Sequence, residues 1–307
     1  MPALRKPRAV PPGATIGIAA PGGPVDPALL AAGEELLRGA GFAIRRRADL
    51  LARRGYLAGD DARRAREFME LVADSDVAAI LCARGGYGCD RIIGRLDAEA
   101  VRAAAKPLVG FSDITALLLW QRRKAGLMGF HGPMLDRGDD LDPAALDTLV
   151  SQLTGTVPLP LVLRGEGRGG GAGRGRLTGG SLTLVTASLG TAWEIDTRGG
   201  ILLLEDKAEH PYRIDRMLQQ LRAAGKLEHA AGFGIGDVST CLDSRYGTSV
   251  EAVIEEILQP LGLPLVTGLP FGHVRANATW AMGARATIDG SSGEVRILEA
   301  GVSRASW

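Results

Sequence analysis

Histidine and cysteine are scarce in this chain, with four and three respectively among 307 residues. The cysteines, Cys82, Cys89 and Cys241, are odd in number and match no paired zinc spacing, which argues against a disulfide framework or a thiolate metal site and for reduced interior thiols. Before the first predicted strand the chain has no uninterrupted apolar core of signal-peptide length, and no later run is long enough to cross a bilayer. A membrane role is therefore not expected, and the simplest location is the cytoplasm. Charge of one sign is also lacking: the formal net charge is +1, with Lys and Arg scattered rather than striped, so nucleic acid is not an expected partner. Aromatics make up only 5% of the chain, and none interleaves with the Gly/Arg-rich segment "RGEGRGGGAGRGR", which removes the stacking platform that RNA binding would need.

What is present is the rhythm of an α/β protein. Short apolar runs such as "ATIGIAA", "VAAILCA" and "PLVGF" alternate with amphipathic runs such as "DARRAREFMELVAD" and "ITALLLWQRRKAG". That order predicts a parallel sheet with helices on both faces. Three predicted strands end in glycine-containing loops, "APGGPVD", "ARGGYGCD" and "GFSD", which fall on the same sheet edge, where such folds bind ligands. The second loop lacks the Lys-Ser/Thr of a phosphate loop and the full dinucleotide fingerprint. A tight turn is its plain reading, although glycines also expose backbone N–H groups to an anion.

The chain is long enough for two domains. Residues 1–137 form the expected α/β domain, 138–176 a Gly/Arg-rich linker, and 177–307 a smaller β-rich domain ending in a hairpin that turns at "DGSSG".

Ser112, two places after Gly110, reads either as a helix cap or as a nucleophile on a sharp turn. A serine nucleophile needs a base, and the base needs an acid to fix its tautomer. Among the four histidines, His210 and His229 sit in or beside an amphipathic stretch. His131 and His273 end strands, where a side chain can be presented. "GILLLED" runs straight into Glu205 and Asp206, read either as an acid for the histidine or as a helix-start pair. The order Ser112, Glu205, His273 is that of α/β-hydrolases, although Ile114 stands where their elbow motif has its second glycine.

Together, "ARGGYGCDRII", "LVGFSDITALLLW", "FHGPM", "GRLTGGSLTLV", "GILLLEDKAEHPYRIDRML" and "LPFGHVRANATW" resemble the LD-carboxypeptidase family of serine peptidases, which includes the microcin C immunity peptidases. The resemblance implies a flavodoxin-like or amidotransferase-like N-terminal domain, a small β-rich C-terminal domain and a homodimer, with no metal or organic cofactor. It implies Ser112 as nucleophile, His273 as general base, Glu205 as its orienting acid, and the backbone N–H groups of Gly86 and Asp113 as the oxyanion hole. The substrate would be a small peptide, a muropeptide tetrapeptide losing its terminal D-alanine, or alternatively a peptidyl or aminoacyl nucleotide. Arg84, His131, Trp193 and Arg275 are the candidate substrate contacts. A non-catalytic α/β protein holding a small anion is the reading from another class.

Overall fold

Short apolar runs, buried nearly throughout as in β-strands covered on both faces, are separated by amphipathic helices and build two sheets. The computed structural model describes residues 3–136, 141–241 and 247–303. Its first half contains β1 (Thr15–Ala19), α1 (Pro27–Gly39), β2 (Ala43–Arg45), α2 (Asp61–Ala73), β3 (Val77–Cys82), α3 (Cys89–Ile93) and α4 (Ala98–Ala104). After these come β4 (Leu108–Gly110), α5 (Thr115–Trp120), β5 (Gly129–His131) and α6 (Pro143–Thr154). Side chains that the sequence supplies start the longer helices: Asp26 caps α1 ahead of Pro27, Asp60 caps α2 and Asp142 caps α6, each satisfying free N–H groups of the first turn.

The second half contains β6 (Leu161–Arg164), β7 (Glu166–Gly167), β8 (Ala172–Ser181), α7 (Leu182–Ala187), β9 (Gly200–Glu205), α8 (Pro211–Ala223) and β10 (Gly232–Ile235). It continues through α9 (Val250–Leu258), β11 (Leu265–Thr267), β12 (Trp280–Met282), β13 (Arg285–Asp289) and β14 (Glu294–Ile297).

Two compact units result, one of Met1–Val157 with Thr279–Met282 and Ala300–Trp307, the other of Pro158–Ala278 with Gly283–Glu299. In the first, the strand order is β2-β1-β3-β4-β5-β12, parallel except for β12, which runs antiparallel to β5. The five parallel strands have the flavodoxin-like order, whose ligand crevice lies at the carboxyl ends of the strands beside the switch between β1 and β3. In the second unit the order is β6-β14-β13-β8-β9-β10-β11-β7, with a parallel centre from β8 to β11 and antiparallel flanks.

The Gly/Arg-rich run differs from the expected linker. Among the described residues of 138–176 are α6, β6, β7 and the start of β8. In β8 Arg174 and Arg176 are exposed, while Cβ atoms at Gly173 and Gly175 would lie 2.0 Å from the Ala231 carbonyl and 2.4 Å from that of Gly199. Composition suggested a connector, but the alternation itself is a strand, with glycine where neighbouring backbone comes too close for a side chain. The hairpin at "DGSSG" forms as expected, with Asp289 accepting from the N–H groups of Ser291 and Ser292 at 2.8 and 3.3 Å.

Candidate active site

Ser112 follows β4 on a turn that only a few residue types tolerate. Its φ is +58°, a left-handed conformation that costs a non-glycine residue on the order of 1–3 kcal/mol and persists where the surroundings impose it. Phe111, not Ser112, occupies the cap position, and no side chain makes a capping bond there. The cap reading is therefore corrected: the serine lies inside the turn, half-buried. The turn is tight because a Cβ at Gly110 would lie 2.8 Å from Ile114 Cγ1, so the isoleucine that breaks the hydrolase motif is the residue Gly110 makes room for.

The "RGGYG" loop lies against this turn. A Cβ at Gly85 would stand 3.3 Å from both Ser112 Oγ and the Asp113 nitrogen, while the Gly85 carbonyl accepts from Gly23 N–H at 2.7 Å. Neither Gly86, at φ +78°, nor Asp113 donates its backbone N–H to any acceptor among the described residues. The Asp113 side chain, 2% exposed, accepts from Cys89 N–H at 3.0 Å. Burial pushes its carboxyl up, opposed by hydrogen bonds from Cys89 and Gly88 and by the charge of Arg64.

Helix α2 supplies residues that the sequence reading missed. Arg64, 0% exposed, donates to the Gly88 carbonyl at 2.7 Å and also to that of Pro21, so one guanidinium holds both glycine loops. Glu67 accepts from Ala20 N–H at 2.7 Å and pairs with Arg63. Burial pushes the Glu67 carboxyl up to about 7 against the pull of Arg63. A signal was present: Arg64 and Glu67 stand four residues before Phe68 and Leu71, on the stripe that an amphipathic helix buries.

In the second unit, Glu205 closes β9 and Oε2 lies 2.7 Å from His273 Nδ1. Glu205 is 1% exposed, and burial raises its carboxyl pKa against the opposing pull of the histidine. Gly272 makes the approach possible: its φ is +107°, and a Cβ there would lie 2.9 Å from Glu205 Cβ. Its N–H donates to Asn277 Oδ1 at 2.9 Å, fixing the loop that carries the histidine. Asp206 is committed elsewhere, accepting from Thr183 N–H at 2.7 Å and its hydroxyl at 2.8 Å at the start of α7. The two adjacent acids therefore divide: one contacts the histidine, and the other anchors the preceding helix rather than the following one.

The remaining candidates take different positions. His131 ends β5 with 0% exposure, stacked on Trp280 at 5.0 Å and 5.5 Å from Phe111. Those rings pack the imidazole against the first unit's sheet. Arg84 donates to the Pro24 carbonyl at 2.7 Å and lies 3.8 Å from Asp136. Trp193 is half-buried after α7, and Arg275 is exposed two residues beyond His273. The three cysteines are free and buried; burial raises all three thiols, Cys241 to about 11, which withholds the thiolate a nucleophile needs. Among the described residues no group of three or more His, Cys, Asp or Glu could hold a metal ion. No helix there is long and apolar enough to cross a membrane.

The fold is that of an α/β unit with a largely parallel sheet and a separate sheet-rich unit, and the family matches that follow make the chain a peptidase. Residues 16–132 match the LD-carboxypeptidase N-terminal domain and residues 174–288 the LD-carboxypeptidase C-terminal domain. The probable murein peptide carboxypeptidase of Bacillus subtilis (strain 168) is 38% identical over 98% of this chain and 96% of its own. The chain belongs to the LD-carboxypeptidase family. The crystal structure of muramoyltetrapeptide carboxypeptidase from Oxalobacter formigenes superposes with a TM-score of 0.84 and 31% identity, covering 95% of this chain and all of that one. MccF, in complex with glutamyl sulfamoyl guanosine, shares the fold with a TM-score of 0.87 and 23% identity, over 97% of this chain and 99% of its own.

Proposed function

We propose that the chain is a serine carboxypeptidase that hydrolyses the bond between an L-centre and a terminal D-amino acid, the D-alanine of a muropeptide tetrapeptide. The observation that carries this reading is the 2.7 Å contact of buried Glu205 with His273, the acid and base that a serine nucleophile requires. Ser112 on its left-handed turn is assigned the attack. His273, its Nδ1 held by Glu205, takes the serine proton through Nε2 and returns it to the leaving amine of D-alanine. The acyl-enzyme is then hydrolysed by water that the same histidine deprotonates, and Ser112 is regenerated. The free N–H groups of Gly86 and Asp113 are assigned to the oxyanion, each worth about 3 kcal/mol of barrier.

The reading places the enzyme in the cytoplasm, in peptidoglycan recycling and as a homodimer. Its relatives named as murein peptidases support that substrate class. The second reading is hydrolysis of an aminoacyl nucleotide, favoured by the bound glutamyl sulfamoyl guanosine in MccF.

The test is release of D-alanine from a muropeptide tetrapeptide by the wild type and Ser112→Ala side by side. We expect release by the wild type and a loss of about four orders of magnitude or more in kcat for the variant, with its circular dichroism unchanged. No release by folded wild type sinks the muropeptide assignment; cleavage of an aminoacyl nucleotide by that preparation would then establish the second reading.

A further inference from the structure

Beside the "RGGYG" loop, and wholly within the first unit, the surface opens into a shallow cup of about 480 Å³ lined by Gly23, Arg53, Tyr56, Arg84, Gly86 and Tyr87. Its floor is the two glycine loops, joined by the Gly23 to Gly85 hydrogen bond of 2.7 Å. Gly85 is the residue whose Cβ would stand 3.3 Å from Ser112 Oγ. The cup therefore begins one residue along the chain from the nucleophile's contact.

The walls expose groups that proteins usually cover. Tyr56 sits on a tight turn in which Arg54 and Leu57 exchange backbone hydrogen bonds of 2.9 and 3.1 Å. It meets Tyr87 edge to face, with ring centroids 5.7 Å apart at 62°. The two tyrosines are 65% and 49% exposed, and paired exposed aromatics next to backbone donors are a feature of binding sites. The charge in the cup is of one sign: among the described residues no carboxylate lines it. Of its two arginines, Arg84 is turned to the Pro24 carbonyl and Asp136. Arg53 is exposed and makes no ion pair or hydrogen bond with any described residue.

We infer that this cup receives the free terminal carboxylate of the substrate, with Arg53 as its ion-pair partner and Tyr56 and Tyr87 bounding the terminal side chain. The inference rests on the peptidase reading above and names the recognition that makes it an exopeptidase. A terminal carboxylate lies within one residue, about 3.5 Å, of the attacked carbonyl, which suits a cup that starts at Gly86. A guanidinium fork matches a carboxylate in a bidentate arrangement. Two rings inclined at 62° leave no parallel slot for a nucleotide base. An internal peptide bond has no carboxylate to offer there, so cleavage is confined to the last residue.

The test uses the full chain as Ser112→Ala, which binds without turnover, and calorimetry with two probes: a muropeptide tetrapeptide ending in D-alanine and the same peptide as its C-terminal carboxamide. We expect the acid to bind about tenfold or more tightly than the amide, the range of one charge-assisted hydrogen-bonded pair. Arg53→Gln in that background removes the preference, bringing acid affinity down to that of the amide, while Arg53→Lys keeps part of it. Arg53 is exposed, so neither change threatens folding. Equal binding of acid and amide, or a preference that survives Arg53→Gln, overturns the inference. So does an Arg53-dependent affinity for an aminoacyl nucleotide that exceeds that for the acid. The two readings fail separately: a wild type that releases no D-alanine while the Arg53-dependent preference persists defeats the peptidase assignment alone, and release without that preference defeats the subsite alone.

Discussion

At the scale of single residues, the proposed chemistry depends on groups held in states that cost stability. Glu205 is buried and its pKa raised, so its favourable contribution to folding is complete below the ordinary carboxyl pKa and lost as pH rises through the folded value. Glu205→Gln keeps the shape and removes the charge. We expect kcat to fall by about four orders of magnitude, as when the acid of a triad is neutralised. The melting temperature should stay level or rise, and the difference between variant and wild type should widen toward alkaline pH, as measured by thermal scans at several pH values. A fall in melting temperature at alkaline pH would show instead that the carboxylate stabilises the unit.

At the scale of elements, α2 works as a bracket for two loops. Arg64 takes the carbonyls of Pro21 and Gly88, and Glu67 takes the N–H of Ala20. Burial lifts Glu67 from an ordinary 4.5 to about 7. The folded state thus holds that proton more tightly than the unfolded chain, and stability from this group is full below about 4.5 and lost as pH rises through about 7. The difference amounts to roughly 3 kcal/mol at most. Urea midpoints should therefore fall between pH 5 and pH 8 in the wild type and vary less in Glu67→Gln; parallel pH profiles would assign the change to other groups. The bracket also marks the limit of sequence reading. Strands, the parallel sheet and the positions of Ser112 and Glu205 at or just beyond strand ends were legible, because apolar runs and abrupt polarity are local signals, whereas His273, expected to end a strand, lies in a loop six residues beyond β11. Arg64 and Glu67 were read as part of an amphipathic helix, because what buries them is backbone from loops 43 or more residues away in "APGG" or beyond α2 in "RGGYG". The run "GRGR" misled for the opposite reason: glycine content signals a flexible chain, while the close approach of Ala231 and Gly199 that demands those glycines is invisible before folding.

At the scale of the whole molecule, the chain does not finish one unit before starting the next. Thr279–Met282 belongs to the first unit, where β12 completes the sheet beside β5 and lays Trp280 on His131. Trp280→Ala should cost about 3–5 kcal/mol, the usual loss for a buried large aromatic, read from urea unfolding of the first unit's signals. A fragment of residues 1–157 should lack cooperative unfolding that the full chain shows, and a cooperative fragment with native-like stability would overturn this. Translation runs in one direction at about 5–20 residues per second, so the ribosome has already made Glu205 and His273 when the strand that closes the Ser112-bearing sheet emerges. A nascent chain stalled before residue 280 would carry its serine on a sheet with an open edge, and the order of synthesis itself would delay a finished nucleophile until its proposed partners exist.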